Sequence, residues 1–252
     1  MADDRAARAA TLLIEARRSG KGLAGLPADC RPDSADDAYA IQDAVAQRLG
    51  AIEGWKTGAP APEAEPAYAP IFTVIAGPGR FPAAAQRLFG VEAELAFRLA
   101  RDLPKRGTPY TRDEIVAAIA SMHPAIELVD TRFADFAKVD ALSKIADNQS
   151  NGALIHGPAV AGWQSLGLDL ARPPIEVTID GTMAARTTGN SGGDPLRLLT
   201  ALANHCTRRT GGLREGDMIT TGSITGVAFA KPGSVVVADF GRLGTVRLEF
   251  PL

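Results

Sequence analysis

Residues 91–99 alternate without a break, with Val91, Ala93, Leu95, Phe97 and Leu99 set against Glu92, Glu94, Ala96 and Arg98. Side chains in a strand point to opposite faces at successive positions, so this run predicts a strand with one apolar face and one face bearing two carboxylates. A strand needs a sheet, and the rest of the chain restricts which kind. Beyond Pro173 the pattern is mostly β, over residues 175–181, 217–223, 234–241 and 244–250, the last two joined by a short turn from Gly241 to Gly244. Strands and helices do not alternate along the chain, which argues against a doubly wound parallel sheet.

Helical periodicity is concentrated at the front. Residues 3–18 carry acids at the start, basic residues in the last turn and Gly20 beyond, as the helix dipole and C-terminal capping favour. Ser34 and Asp37 resemble a capping box with Asp in place of Glu, and Ala38, Ile41, Val45 and Leu49 form an apolar stripe that Gly50 stops. From Trp55 the texture changes, because Pro60, Pro62, Pro66, Pro70 and Pro78 leave only loop and short strands. Thr111 with Glu114 predicts a short helix running through Met122, after which Pro124 introduces a strand over residues 125–129. A further helix is capped by Asp194, has Pro195 in its first turn and ends before Gly211-Gly212.

Glu92 and Glu94 lie about 7 Å apart along one strand face, close enough to converge on one cation. Such a pair is also what a solvated strand face carries. Glu127 is different, since Ala125, Ile126, Leu128 and Val129 make both faces of its strand apolar. A carboxylate there must be paired with a base, protonated or bound to a metal. Together the three offer an all-oxygen site suited to Mg²⁺ or Mn²⁺ rather than zinc, and His123, His156 and His205 are scattered without paired spacing. Lys56, in Gly54-Trp55-Lys56-Thr57-Gly58, is a candidate acid/base beside such a cation, or else a surface lysine. The loop at 220–226 brings hydroxyls, among them Ser223 and Thr225, together with glycine N–H groups, and can hold a carboxylate. Asp147-Asn148-Gln149-Ser150-Asn151-Gly152 is a cluster of turn formers, whose amides, Asn148 first, can bind substrate oxygens.

Several function classes are excluded. Lys+Arg 27 against Asp+Glu 29 gives a net charge of -2, with no basic run to hold a nucleic acid. No apolar run approaches the ~20 residues a membrane helix needs. Cys30 and Cys206 stand far apart, and the acidic first residues lack the pattern of a secretion signal, so a cytoplasmic protein is expected. There is no phosphate loop, since Lys231 comes too late after the glycines.

Taken in order, Gly54-Trp55-Lys56-Thr57-Gly58, Val91-Glu92-Ala93-Glu94-Leu95-Ala96-Phe97, Pro124-Ala125-Ile126-Glu127, Asp147-Asn148 and Gly216-Asp217-Met218-Ile219-Thr220-Thr221-Gly222-Ser223 resemble the 2-keto-4-pentenoate hydratase and oxalocrotonate decarboxylase branch of the fumarylacetoacetate hydrolase superfamily. The resemblance runs from about Ser34 to the C-terminus. It implies an α+β fold with a mixed, rolled, barrel-like β core and N-terminal helices, divided as a helical region over residues 1–54 and a catalytic β-roll over residues 55–252 in one unit. It also implies Mg²⁺ or Mn²⁺ on Glu92, Glu94 and Glu127, with Lys56 as the acid/base, acting on a small 2-oxo or 2-hydroxy-dienoic acid. The expected activity is a hydratase-like lyase of aromatic-compound catabolism, and the expected assembly a homo-oligomer. An acylpyruvate hydrolase, a 2-oxo acid decarboxylase and a non-catalytic partner subunit are the alternatives. One segment departs from the branch: where its hydratases carry an acid in a Pro-Asp-Tyr/Phe-Gly segment, this chain reads Glu65-Pro66-Ala67-Tyr68-Ala69-Pro70. Either Glu63 or Glu65 replaces that acid, or the reaction is not simple dienoate hydration.

Overall fold

The computed structural model describes residues 2–252. Helix α1 (Ala2–Ser19) and α2 (Ala35–Leu49) come first, followed by β1 (Gly54–Gly58), β2 (Ala67–Ile71), β3 (Val74–Ala76), β4 (Gly79–Arg80), β5 (Gly90–Leu99) and β6 (Leu103–Pro104). Then follow α3 (Arg112–Val116), β7 (Ile119–Val129), α4 (Ala141–Ala146), β8 (Asn151–His156), β9 (Glu176–Ile179) and β10 (Thr182–Arg186). The chain ends with α5 (Pro195–Arg209), β11 (Gly212–Leu213), β12 (Met218–Thr220), β13 (Ala228–Phe229), β14 (Val235–Asp239) and β15 (Thr245–Glu249).

The main sheet runs β2-β1-β12-β5-β7-β8-β3, with β13 added to β5. β1 pairs with β12 and β3 with β8 in parallel, and the other neighbours are antiparallel. Its two edge strands, β2 and β3, are separated by two residues, Phe72 and Thr73. A link that short forces the sheet to curl until its edges meet, which is the expected roll. A second sheet, β10-β9-β14-β15-β4, closes one side.

Alternation divides the main sheet into two faces. The outer face supplies Trp55, Tyr68, Leu95, Phe97, Ile126, Leu128, Ile155 and Ile219, which pack with Leu199 and Leu202 of α5 and with Val236, Val246 and Leu248 of the second sheet. The inner face has a small apolar floor of Ile71, Ala96, Ala125, Leu154 and Met218. α1 and α2 pack on each other through Ala9, Ala10, Leu13, Ile41 and Val45, and Phe133 and Ala146 complete that cluster. Gln42 of α2, buried, ties it to the sheet by donating to the carbonyls of Tyr68 (2.9 Å) and Ile145 (2.8 Å).

The expected caps are present: Ser34 accepts from the Asp37 N–H, Asp194 accepts from the Leu196 N–H, and Thr111 and Glu114 form a reciprocal capping box. The helix that this box starts is shorter than expected. It stops at Val116, and residues 119–122 belong to β7, with Ile119 and Met122 opposite Leu99 and Phe97. Pro124 lies inside that strand rather than before it. Its carbonyl accepts from Gly157, just past the end of β8, so its missing N–H also faces away from β5 and costs no bond on that side.

Candidate metal and acid–base site

Register brings the three glutamates together. Glu92 and Glu94 share the inner face of β5, and Glu127 of β7 stands directly across from Glu92. One oxygen from each carboxylate can be chosen so that all lie within 4.8 Å of one another. Glu94 and Glu127 are buried and Glu92 is half-buried. Burial, then the charge of Glu127, pushes the Glu92 carboxyl up to about 7. Burial and the charges of Glu127 and Glu92 push Glu94 well above the usual carboxylate range. Glu94 is held on one oxygen by the Thr220 hydroxyl and by the Gly222 N–H (2.9 Å). Gly222 has φ +93, and a Cβ there would stand 3.3 Å from the Asn190 side-chain oxygen, so glycine suits this close approach. The second oxygen of Glu127 is buried without a hydrogen-bond partner among the described residues. A hard divalent cation fits this set: three carboxylates, oxygen donors only, repelling one another unless positive charge lies between them.

Lys56 reaches the same spot from β1, which lies two strands from β5. Its ammonium pairs with Glu127 and donates to the Gln149 carbonyl at 3.1 Å. Burial works to lower the lysine pKa, but the charges of Glu127, Glu92 and Glu94 outweigh it and hold the group charged. Gly54, two residues before, lets the Met218 carbonyl of parallel β12 approach its Cα more closely than a side chain would permit.

The turn after α4 completes the wall. Asn148, Gln149 and Ser150 have φ of 51°, 52° and 57°, three consecutive left-handed residues, none of them glycine. Such residues are strained, and strain of this kind gathers at functional sites. Asn148 is buried with both amide atoms unpartnered among the described residues, as is the Ser150 hydroxyl. Asn151 turns its amide onto Glu127 (3.0 Å). Ser223 lies beside Glu92 and helps hold its charge, although its hydroxyl lacks the geometry of a full hydrogen bond. Thr225 is placed differently: its hydroxyl accepts from the Ala93 N–H (3.2 Å) and donates to the Gly226 carbonyl (3.1 Å), so it fastens the loop to β5.

Ala67 and Ala69 stand opposite Gly58 and Lys56, so both methyls share the inner face with Lys56. Glu63 and Glu65 are exposed. Burial first and the Glu65 charge second raise the pKa of the Tyr68 hydroxyl, which lies on the far face of β2. A cleft of about 500 Å³ between α2 and α5, lined by Trp55, Pro70, His205 and Arg209, also opens on that far face and is separate from the carboxylates.

Residues 38–250 match the fumarylacetoacetate (FAA) hydrolase C-terminal family. The chain belongs to that family. Within this hydrolase family it is 32% identical over 257 residues to a 2-keto-4-pentenoate hydratase of Paraburkholderia xenovorans (strain LB400), covering 96% of this chain and 93% of that one. It is 29% identical over 160 residues to a 4-oxalocrotonate decarboxylase of Pseudomonas sp, 63% of this chain and 59% of the other. The fold matches 4-oxalocrotonate decarboxylase from Pseudomonas putida G7, complexed with magnesium and adipate, with a TM-score of 0.85 at 23% identity, over 98% of this chain and 97% of that one. Four groups around this family site are not singled out individually by the sequence: Thr220, Asn151, the Gln149 carbonyl and Asn190, whose amide donates to the Thr221 carbonyl (2.7 Å). The first three lie in segments already singled out, whereas Asn190 lies in a glycine-rich loop with no local sign of its partner.

Proposed function

We propose that this protein is a divalent-metal-dependent lyase of the hydratase type, acting on a small 2-oxo or 2-hydroxy-dienoic acid in the cytoplasmic breakdown of aromatic or related compounds, as a homo-oligomer. The observation that carries the reading is the convergence of Glu92, Glu94 and Glu127 on one point with Lys56 beside them. The hydratase and decarboxylase relatives and a structural neighbour that holds magnesium support it. Glu92, Glu94 and Glu127 would hold Mg²⁺ or Mn²⁺, and what that ion supplies when bound is Lewis acidity toward negative charge building on the 2-oxo group.

The chain's own residues do the rest. Lys56, fixed by Glu127 and the Gln149 carbonyl and held charged by the glutamates, gives the proton at the carbon next to the oxo group, and can take it back once the glutamate charges are offset. The Asn148 amide and the Ser223 hydroxyl, both buried with unused hydrogen-bonding capacity, bind and orient the substrate carboxylate. Thr225 supports them by holding its loop on β5. Gly58, Ala67 and Ala69 leave room on the inner face for the substrate's carbon chain.

A second reading, a 2-oxo acid decarboxylase using the same groups, is favoured by Ala67. Hydration requires a group that orients or deprotonates water, and at this position on the inner face there is only a methyl. The deciding experiment is a screen of purified protein against 2-hydroxypenta-2,4-dienoate, an unsaturated 2-oxo diacid and an acylpyruvate, with Mg²⁺ or Mn²⁺ and with EDTA. Metal-dependent turnover of the first identifies the hydratase and of the second the decarboxylase. Failure on all three in the presence of either metal would count against the proposal.

A further inference from the structure

We propose that Arg132 is a positioning residue for this site: it clamps the strained turn at Asn148, Gln149 and Ser150 so that the Gln149 carbonyl meets Lys56 and the Asn151 amide meets Glu127. The inference rests on the roles proposed above for Lys56 and Glu127. Arg132 is 2% exposed and spends its guanidinium on both ends of the turn. Its Nε pairs with the Asp147 carboxylate, one Nη donates to the Asp147 carbonyl (2.6 Å) and the other to the Asn151 carbonyl (2.9 Å). The Asp147 carboxylate also accepts from the Arg132 N–H (3.0 Å) and the Thr131 hydroxyl (2.9 Å). Arg17 of α1 adds a longer bond to the same Asn151 carbonyl, at 3.3 Å.

Between those anchors lie the three residues with φ of 51°, 52° and 57°. A run like that persists only when its surroundings over-determine it. What the conformation achieves is visible in the groups it presents: the Gln149 carbonyl accepts from Lys56, and the Asn151 amide donates to Glu127. Lysine cannot replace Arg132 here, because three acceptors in a fixed fork need three nitrogens.

The test combines Arg132→Lys, the milder Thr131→Val and each of these with Gln149→Gly. Glycine keeps the 149 carbonyl but adopts left-handed φ without strain, so it should relieve the need for the clamp. In Arg132→Lys, amide exchange over residues 148–151 should quicken while β5 and β7 stay protected. Mn²⁺ affinity and kcat should each fall about tenfold, as loss of a group that orients a metal ligand does, with KM changed less. Thr131→Val should move the same quantities less far, and it decides the matter if Arg132→Lys does not fold. Gln149→Gly should restore part of kcat and Mn²⁺ affinity on either background. Unchanged exchange at 148–151 with unchanged Mn²⁺ affinity would overturn the proposal, and so would losses that Gln149→Gly does not relieve. Exchange is measured without substrate or metal, so a wild type that turns over no 2-oxo acid would defeat the proposed function and leave this test standing.

Discussion

Without a cation, the three carboxylates make the site a source of pH-dependent instability, and its size can be worked out for Glu92. Burial and the Glu127 charge raise that carboxyl from an ordinary 4.5 to about 7 in the folded protein. The folded state thus binds the proton more tightly than the unfolded chain, and stability is lost as pH rises from about 4.5 to about 7. At 1.36 kcal/mol per pKa unit the loss from this one group is about 3 kcal/mol. In a chain of this length that is about 6 °C in Tm. A divalent cation binds the deprotonated carboxylates, so its stabilisation should run the opposite way and grow with pH. Glu92→Gln removes the titration and supplies the baseline. Differential scanning calorimetry of both proteins in EDTA from about pH 5 to 8 should show the wild type losing ground to the variant, and Mn²⁺ should raise the wild-type Tm more at the upper end. A flat difference between the two proteins in EDTA, or an equal Mn²⁺ effect at both ends, would refute the reasoning.

Three further outcomes follow from the same geometry. Glu127→Gln should weaken Mg²⁺ or Mn²⁺ binding measured by calorimetry, because it removes one charged oxygen donor, and wild-type affinity in the variant would remove Glu127 from the ligand set. Lys56→Met should lower kcat about 100-fold or more, as loss of a positioned acid/base does, while still binding metal; Lys56→Arg, which keeps the charge but cannot exchange protons near neutral pH, should not rescue it. Ala67→Asp places a carboxylate on the inner face near Lys56 and should raise dienoate hydration, followed by ultraviolet absorbance, more than C3 deuterium exchange of a 2-oxo acid. Fast wild-type hydration that the substitution leaves unaltered would show that another residue already handles the water.

The carboxylates were legible because a strand reveals its faces by alternation. Glu92 and Glu94 fall on the polar side of a clean period of two, and Glu127 is conspicuous as an acid where both faces are apolar. Their convergence was not legible from that pattern, since it depends on the pairing of Glu92 with Glu127 across β5 and β7. The overlong third helix shows a different limit: a capping box marks where a helix starts and not where it ends, and Pro124 looks in the sequence like a strand's beginning although its unpaired side makes it tolerable within one. Thr225 illustrates a third. A hydroxyl in a glycine-rich loop looks free in the sequence, and here it is committed to backbone groups of Ala93 and Gly226. Arg132 had no local signal at all, because its partners lie 15 to 19 residues away in a turn whose backbone no propensity scale would suggest.

The order of strands in the curled sheet also dictates when the site can exist during synthesis. β1, carrying Lys56, and β5, carrying two of the glutamates, are not neighbours; β12 lies between them and is contributed by residues 218–220. Until that segment leaves the ribosome, β1 has no partner on one side and β5 presents an open edge, and Glu94 lacks Thr220. Nascent chains therefore pass through a stage with most of the core residues present and two sticky strand edges exposed, a situation that favours misassociation over folding. Pairing strands so distant in sequence is also intrinsically slow. A ribosome-stalled chain in which residues 1–200 have emerged should accordingly bind chaperone and no Mn²⁺, and competence should arrive abruptly once Thr220 and Gly222 are out.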